Sequence, residues 1–459
     1  MSDDLHPSDD NDIEKVFNFP YLSDAVAVQF LNDHGRVFFI VRGLPGTGKS
    51  VLSTMLMERY PTHKIYWADK MFMTPVPIPR TPDTLRESHK LCHEKIEGFM
   101  QKNVPVIINR STNVRVSEVS RYLLLGVKYG YTTILADTSY KFSIVPEELA
   151  ATNTKRLNLD YMKKRCAQWQ NVYPIYTGWF LCPSDALFLF KRFSHILDLL
   201  NKSGWSPPKV LHQEGQPFCL GRRCWFGIAS TEKEYCDSKE VRDAYGSVHT
   251  LKVVGYAITH EFVVAMVMLD EGQARLLGHR DADDNDQSVS DLFSGLSVKD
   301  WQPTRCEVEL SDVVEDDEDD QDEDTPITGG VENIVASDAV SFVILGSCSE
   351  DPKVPLSASK DLPGMWKALC EKMSISERGV MCEEKISVGD AVAYRAHQDY
   401  LILDKGAELE GVFTGYYQPY DTKIDQLCRN FARTGKCRFG NSCFFKHERT
   451  VTYVPATFE

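Results

Sequence analysis

The chain has 459 residues, of which 42% are hydrophobic and 25% charged, with a formal net charge of -15. This composition is typical of globular proteins, and the length allows two or three domains with cores of their own. The acidic balance excludes nonspecific nucleic-acid binding by the whole surface, so any such contact must be local.

Signals for export and membrane insertion are not recognisable in the sequence. Met1–Glu14 is acidic and polar, unlike a signal or transit peptide. No apolar run approaches the ~18 residues that a membrane span needs. Ten of the 13 cysteines lie outside a C-terminal cluster and show no pairing-like spacing. We therefore expect reduced thiols, a cytoplasmic or nuclear location and no membrane partner.

After an acidic N-terminus (1–16) that we expect to be disordered, apolar runs alternate with helical patterns up to about residue 205. Strands that alternate with helices favour a parallel, three-layer α/β sheet, so 17–205 is predicted to be one α/β domain. Between residues 160 and 203 the pattern is helical, with an interruption at Tyr173–Leu181. The predicted strands are Arg36–Arg42, Lys64–Trp67, Val104–Ile108 and Thr132–Ala136, and the predicted helices are Thr84–Met100 and Ser117–Lys128.

The segment that follows the first strand fits the phosphate-loop pattern G-x-x-x-x-G-K-[ST]. Gly43, Gly46 and Gly48 would let backbone N–H groups wrap the phosphates at a helix N-terminus. Lys49 would reach the β- and γ-phosphates, and Ser50 would hold Mg²⁺. The pattern predicts a site for a purine nucleotide, ATP or GTP, although a fortuitous glycine-rich turn is the alternative.

Asp69 follows the second predicted strand, where a kinase would need a base for the accepting hydroxyl. A carboxylate at this position is an equally good candidate for capping the next segment. Asp69 is therefore a candidate catalytic base for phosphoryl transfer, with a purely structural role as the alternative.

Residues 206–420 are predicted to be a second, α+β domain. Its β-rich runs include Leu251–Ile258, Phe262–Leu269 and Ala339–Leu345. An acidic stretch, Asp281–Asp324, lies within a predicted disordered insertion at 281–336, because a block of like charges cannot bury a core. A solvated loop is favoured over a docking tail for basic partners.

The last predicted unit, 421–450, contains Cys428, Cys437, Cys443 and His447 in the order C-x8-C-x5-C-x3-H. Three thiolates and an imidazole complete a tetrahedral Zn²⁺ site, so the metal would be structural. The alternative is three structural cysteines with a chance histidine. Rings and cations between the ligands suit the stacking of unpaired bases and the binding of phosphates. The candidate contacts to single-stranded RNA are Arg429, Phe431, Arg438, Phe439, Phe445 and Lys446. The segment resembles the CCCH zinc-finger family of RNA-binding proteins.

From about Phe17 to Tyr417 the chain resembles the 2',3'-cyclic-nucleotide 3'-phosphodiesterase (CNPase) family. The shared motifs are Arg42-Gly43-Leu44-Pro45-Gly46, Ala68-Asp69, Thr112-Asn113, Gly178-Trp179-Phe180-Leu181 and Phe413-Thr414-Gly415-Tyr416-Tyr417. The resemblance implies a polynucleotide-kinase-like first half and a two-histidine phosphoesterase second half. The zinc finger stands where that family has a lipid-modified tail.

The kinase-like half departs from the family pattern at one strand end. Arg110 and Ser111 stand where the family has two aspartates before Thr-Asn. Loss of a carboxylate that orients Mg²⁺ should impair phosphoryl transfer more than nucleotide binding. In the lid region, Lys155 and Arg156 could reach phosphate or could simply be solvated.

The phosphoesterase-like half departs at both family H-x-T motifs, in which the histidines act as base and acid. Alignment places Phe226-Gly227-Ile228 at the first motif and Phe342-Val343-Ile344 at the second. The phenyl rings of Phe226 and Phe342 cannot act as a base or an acid, so we expect a pseudophosphoesterase, a phosphoesterase fold without the activity. His212, His249 and His260 lack the accompanying threonine and are more simply surface or half-buried residues.

Taken together, the sequence favours a catalytically silent CNPase-like body with a zinc finger that binds RNA. One alternative is a polynucleotide 5'-hydroxyl kinase acting on RNA ends. Another is a protein-interaction scaffold whose finger grips a protein.

Overall fold

The structure is a computed structural model, and it describes residues 16–142, 144–153, 156–212, 216–259, 262–278, 340–348, 368–369, 371–373, 375–376, 379–380, 382, 384–417, 424–427, 431 and 445–446. The predicted acidic insertion at 281–336 and nearly all of the acidic N-terminus lie outside these residues. Among the described residues, no helix has both the length and the apolar character to cross a membrane.

The first lobe is built on a four-stranded parallel sheet with the order β2-β3-β1-β4. All six residues of β1 are buried, which is why this strand reads as a continuous apolar run. All four predicted strands are confirmed, with ends that differ by one or two residues. The strands are β1 (Val37–Arg42), β2 (Lys64–Tyr66), β3 (Val106–Arg110) and β4 (Thr132–Asp137).

Helices cover both faces of this sheet and make the predicted three layers. On one face, Phe39 of β1 packs in a cluster with residues of the first three helices. On the other face, Phe38 packs with residues of the fourth and fifth helices. The helices are α1 (Pro20–Ser23), α2 (Ala25–His34), α3 (Lys49–Arg59), α4 (Pro82–Gln101), α5 (Val116–Lys128), α6 (Pro146–Thr152) and α7 (Leu159–Gln168). The 3₁₀ turns are Ala68–Phe72 and Ser139–Lys141.

The second lobe is built on a nine-stranded sheet whose strand pairs are all antiparallel. Its nine strands are β5 (Tyr176–Leu181), β6 (Leu211–His212), β7 (Phe218–Arg223), β8 (Val248–Ile258), β9 (Phe262–Met268), β10 (Val340–Ser347), β13 (Lys385–Val388), β14 (Ala391–Ala396) and β15 (Asp399–Tyr416). Between β10 and β13, the short strands β11 (Ile375–Ser376) and β12 (Gly379–Val380) form a separate two-stranded sheet. The helices are α8 (Pro183–Lys202), α9 (Ser230–Asp237), α10 (Lys239–Ala244) and α11 (Glu271–Arg275), with a 3₁₀ turn at Trp225–Gly227.

The long strand β15 closes the second sheet on itself. It pairs with β5 through its C-terminal part and with β8 along most of its length. The pairs β5–β7, β7–β10, β10–β9 and β9–β8 complete a ring of six strands. Closure of this kind removes free sheet edges, which would otherwise invite pairing with another chain.

The structure corrects the predicted end of the first domain at residue 205. Strand β5 hydrogen-bonds with β7 and β15, and therefore lies inside the second sheet. Helix α8 packs Leu189 and Phe193 into the cluster that contains Trp179 of β5. Strand pairing joins residues distant in sequence, so the local pattern could not reveal it. The boundary between the lobes lies just before β5.

The two lobes are joined by direct hydrogen bonds. Thr414 Oγ1 on β15 donates to the carbonyl of Thr133 on β4 at 2.8 Å, and both residues are buried. The side-chain amide of Gln216 donates to Thr132 Oγ1 at 2.6 Å and to the carbonyl of Leu181 at 3.1 Å. Buried polar groups paired in this way fix the contact between the lobes.

We expect Gly178→Ala to destabilise the body by about 1–3 kcal/mol, as overpacking of a filled core does. A Cβ at Gly178 would lie 2.3 Å from the carbonyl oxygen of Cys219, so β5 and β7 would have to separate. Urea-induced unfolding measures this cost. Gly98→Ala is the matched control: a Cβ there meets nothing within 4 Å inside α4, so stability should rise by about 0.5–1 kcal/mol. Equal stability of the two variants would contradict the close approach of β5 and β7.

Candidate nucleotide site and apolar strand face

The phosphate loop connects β1 to α3 at the C-terminal edge of the parallel sheet, as predicted. Gly46 and Gly48 have positive φ angles of 90° and 70°, a left-handed backbone that favours glycine. Helix α3 begins at Lys49, with Gly48 as its N-cap residue. The loop therefore turns its backbone towards a helix N-terminus, the arrangement that binds phosphate groups.

Hydroxyl groups hold the loop in this shape from both sides. Thr47 Oγ1 donates to the carbonyl of Leu44 at 2.8 Å and lies 2.6 Å from Thr138 Oγ1. Ser139 Oγ accepts from the Leu44 amide at 3.0 Å. Because Thr138 and Ser139 belong to the segment after β4, contacts within the protein hold the loop in this shape.

Lys49 contacts its own loop. Its Nζ donates to the carbonyl of Leu44 at 2.7 Å, and the side chain is half-buried. Ser50, the predicted Mg²⁺ ligand, is exposed at the first turn of α3. An incoming phosphate would exchange the neutral carbonyl of Leu44 for a negatively charged oxygen as the acceptor from Lys49, and a hydrogen bond between two charged groups is the stronger of the two.

The lid region packs directly on the phosphate loop. Leu149 of α6 and Met162 of α7 share a small buried cluster with Leu44 and Val114. A Cβ at Gly46 would lie 3.2 Å from the carbonyl oxygen of Leu149, so the lid touches the loop backbone. Of the two basic lid residues, Arg156 is exposed, and Lys155 lies outside the described residues.

Asp69, the candidate kinase base, lies in the 3₁₀ turn after β2 and is bound by an arginine. Its Oδ1 accepts from Arg80 Nη1 at 2.8 Å. Arg80 in turn lies over the ring of Phe72, with its guanidinium carbon 4.4 Å from the ring centre. This ion pair occupies one oxygen of the carboxylate that would serve as the base.

Arg110 ends β3 beside the phosphate loop. The Ser111 amide donates to the carbonyl of Val41 at 3.1 Å, and the Gly43 amide donates to the carbonyl of Thr112 at 3.4 Å. The Arg110 guanidinium lies 4.2 Å from the ring centre of Trp67, a cation–π geometry. Burial lowers the pKa of Arg110, an effect that the nearby Asp69 carboxylate opposes.

Arg42, the last residue of β1, is a charged residue of the site to which the sequence analysis assigned no role. Its side chain is completely buried and lies over the ring of Trp169 at 4.1 Å. It donates to the carbonyls of Asn113 and Gln170 and forms an ion pair with Asp137 at 3.5 Å. Burial lowers the pKa of Arg42, and Asp137 opposes this shift. Its position before the first loop glycine was visible in the sequence, but its burial was not.

In the second lobe, Phe342-Val343-Ile344 lies on β10, as the predicted β-rich run Ala339–Leu345 indicated. Phe226 and Gly227, from the segment aligned with the first family motif, lie in the 3₁₀ turn Trp225–Gly227. The stretch opposite the second motif is Phe218-Cys219-Leu220 on β7, with Cys219 paired to Val343. The pairing of distant strands decides this correspondence, so sequence spacing missed it.

Four apolar side chains from these two strands share one face of the sheet, because side chains alternate along a strand. Phe218, Leu220, Phe342 and Ile344 lie in one buried cluster and are each at most 8% exposed. The ring of Phe218 stacks on Phe180 and Tyr416, at centroid distances of 4.9 and 4.8 Å. This face of β7 and β10 is therefore covered by packed rings and aliphatic groups.

Of the three alternative histidines, only His249 has a described side chain, and it lies outside this apolar cluster. His249 is half-buried between Trp179 and Phe413, and its Nε2 lies 2.8 Å from Ser247 Oγ. Burial lowers the pKa of His249. His212 pairs through its backbone with Gly346 of β10, and its side chain is not among the described ones. His260 lies outside the described residues.

The zinc-finger segment is described only in part. Two short parallel strands, β16 (Ile424–Leu427) and β17 (Phe445–Lys446), pair Leu427 with Lys446 and so join the two ends of the motif. Phe431 is partly buried. All four predicted zinc ligands lie outside the described residues, as do the predicted RNA contacts Arg429, Arg438 and Phe439. As a donor set, three thiols and one imidazole fit Zn²⁺.

Comparison with known families and proteins gives two separate matches. The CCCH-type zinc finger family matches residues 426–448, which include all four predicted ligands. The rat (Rattus norvegicus) 2',3'-cyclic-nucleotide 3'-phosphodiesterase is 27% identical over 286 residues, covering 56% of this chain and 66% of the relative. The mouse (Mus musculus) protein is 25% identical over the same shares. The chain is thus CNPase-like with a CCCH finger, and it spans just under two thirds of the length of these relatives.

A shorter stretch resembles human (Homo sapiens) NEDD4-binding protein 2, with 29% identity over 138 residues, 30% of this chain and 8% of that protein. Among solved structures, a chain of the Pnkp1/Rnl/Hen1 RNA repair complex is 19% identical with a TM-score of 0.24, covering 29% of this chain and 44% of that one. A fungal RNA kinase is 9% identical with a TM-score of 0.23, covering 83% and 99%. TM-scores below 0.5 are too low to carry an inference about the fold.

Proposed function

We propose that this CNPase-like chain is an RNA-binding protein whose zinc finger contacts single-stranded RNA and whose body binds a purine nucleotide without hydrolysing cyclic nucleotides. The observation that carries the proposal is the CCCH match at 426–448. The segment from Cys428 to Arg449 contains six basic residues and four phenylalanines, in an otherwise acidic chain. Bases stack on such rings while phosphates meet the cations.

Nucleotide binding at the phosphate loop is supported by the loop geometry. The glycines with positive φ, the start of α3 at Lys49 and the hydroxyl contacts from Thr138 and Ser139 preorganise an anion site. A preformed site avoids the entropic cost of ordering a loop on binding. We assign either ATP or GTP as the ligand.

Loss of phosphodiesterase chemistry is supported by the residues that face each other on β7 and β10. General acid–base catalysis needs two groups that exchange protons near neutral pH. Phenylalanine and aliphatic side chains at 218, 220, 342 and 344 offer none, and they are packed into a buried hydrophobic cluster.

We therefore expect purified full-length protein to leave a 2',3'-cyclic nucleotide unhydrolysed, under conditions in which a CNPase assayed in parallel turns it over. Phosphorus NMR or chromatographic detection of the 2'-nucleotide measures the outcome. The proposed loss of phosphodiesterase activity would be refuted by turnover above the no-enzyme background. That turnover would have to co-purify with the protein and persist on repurification.

The RNA-binding part is tested by ultraviolet crosslinking of the full chain to a labelled single-stranded oligonucleotide pool. Crosslinks should map to 426–448 and should disappear when a zinc chelator is present, because small zinc units fold only with their metal. The absence of crosslinks at saturating protein would favour the scaffold alternative, in which the finger grips a protein.

The kinase alternative receives no specific support from the site, because Asp69 is held by Arg80. Its test remains direct: transfer of labelled phosphate from ATP to a 5'-hydroxyl oligonucleotide, lost in Lys49→Ala. Such transfer would replace the silent-body proposal with an enzymatic one.

A further inference from the structure

The phosphate loop implies a magnesium ion, and the residues around it allow a test of whether that ion fits. Phosphate-loop proteins hold Mg²⁺ through the loop Ser or Thr and a carboxylate on a neighbouring strand end. Ser50 can supply the hydroxyl. The carboxylates near this edge of the described sheet are Asp69 after β2 and Asp137 at the end of β4.

Asp69 is already committed to guanidinium groups. Arg80 Nη1 lies 2.8 Å from its Oδ1, and Arg110 is close enough for its charge to interact with the carboxylate. Arg110 is itself held by stacking on Trp67. A divalent cation bound to Asp69 would therefore face two positive charges, which repel it.

Asp137 is committed as well. One carboxylate oxygen accepts from the Ser139 amide at 2.8 Å, and the other pairs with Arg42 at 3.5 Å. Arg42 is completely buried, and removing the partner of a buried charge is costly. Asp137 is therefore bound to the protein itself rather than available to a metal.

Among the described residues, no group of three or more His, Cys, Asp or Glu side chains is placed to hold a metal ion. At this edge four cationic groups, those of Arg42, Lys49, Arg80 and Arg110, accompany the two carboxylates that stand at or after strand ends, Asp69 and Asp137. An excess of fixed positive charge attracts an anion and disfavours a cation. The carboxylate part of a magnesium site does not fit the residues present.

We infer that the phosphate loop binds its nucleotide without a divalent cation, and that Arg110 supplies the positive charge that Mg²⁺ would otherwise bring. Arg110 is placed for this role because β3 continues beside the loop through the Ser111–Val41 and Gly43–Thr112 hydrogen bonds. Stacking on Trp67 leaves the N–H groups at the edge of the guanidinium available to phosphate oxygens. This inference rests on the proposed nucleotide binding and specifies its metal requirement.

The test is isothermal titration of ATP and of GTP into the full-length protein, once with Mg²⁺ and once with EDTA. In the EDTA arm the finger can also lose its Zn²⁺, whereas in the Mg²⁺ arm it keeps this metal. Wild-type Kd values in the two arms are expected to agree within about threefold, because the fixed charge does not depend on metal. In Arg110→Asp, binding in EDTA should weaken at least about tenfold and recover in part with Mg²⁺, since a carboxylate then favours the metal complex.

Arg110→Lys keeps the charge and should remain independent of Mg²⁺, and thermal melting checks that each variant folds. Wild-type binding that requires Mg²⁺ would overturn the inference and leave the proposed nucleotide site standing. If the wild type and Lys49→Ala both fail to bind nucleotide with Mg²⁺ and with EDTA, the proposed nucleotide site is overturned, and the inference is overturned with it. Equal weakening of Arg110→Asp in both arms would also overturn the inference, because it would show a structural role alone.

Discussion

Cys443→Ala is expected to abolish binding of the full-length protein to single-stranded RNA while leaving the melting of the α/β body nearly unchanged. Structural Zn²⁺ contributes about 10–16 kcal/mol of apparent binding free energy in small fingers, and loss of a thiolate removes the fourth ligand of a closed site. The RNA contacts predicted between the ligands would then lack a fixed arrangement. Fluorescence anisotropy with a labelled oligonucleotide measures affinity, and circular dichroism follows the melting.

Cys348→Ala provides the matched control for Cys443→Ala. Cys348 is a partly buried free thiol at the end of β10, far in sequence from the finger, and its replacement should leave RNA affinity within error. Retained RNA binding by Cys443→Ala would move the RNA site away from the finger. A large drop in the melting temperature of that variant would instead show that finger and body unfold as one unit.

Lys49→Ala is expected to weaken nucleotide binding by about 10- to 100-fold, because a hydrogen bond from a charged group contributes about 1.5–3 kcal/mol. In the structure Lys49 Nζ contacts the carbonyl of Leu44, so the truncation also removes one contact within the loop. Titration calorimetry of ATP and GTP against the full-length variant measures the loss.

Lys128→Ala is the control for Lys49→Ala. Lys128 ends α5, where its exposed side chain pairs with Glu97, and β4 begins soon after it at the opposite edge of the sheet. Unchanged affinity is expected for this variant. If both lysine variants bind nucleotide as the wild type does, the phosphate loop is a structural turn and not a ligand site.

The first lobe could be predicted from sequence because its signals are local. Strand β1 is buried on both faces, so it appears as an uninterrupted apolar run, and α4 begins at Thr81–Pro82 with a capping box. The spacing of the phosphate loop fixes its place between β1 and α3. These features require no knowledge of distant parts of the chain.

The second lobe was less predictable because its order depends on pairing between distant strands. Strand β5 lies between two helices and gives no local sign that it joins β7 and β15. The same limitation led to Phe226 being aligned with the first family motif, although Cys219 is the residue that pairs with Val343. Register between strands is set by packing in three dimensions.

The position of the phosphate loop could be predicted from the sequence, but the charges around it could be predicted only in part. Gly43 to Ser50 and Asp69 lie together at one edge, as expected for the ends of parallel strands. The sequence also showed Arg110 in place of an aspartate, but it could not show that Arg80 reaches Asp69 or that Arg42 is fully buried. Such ion pairs depend on side-chain conformation, which no spacing rule supplies.

The interior position of β5 has a consequence for dissecting the protein into fragments. A truncation ending near residue 205 would keep β5 and α8 but delete both of the strands to which β5 is bonded. Unpaired backbone groups along a strand recruit other chains, so this fragment is expected to aggregate, and size-exclusion chromatography would detect it. Studies of either half are therefore better made by point substitution in the intact polypeptide than by cutting it.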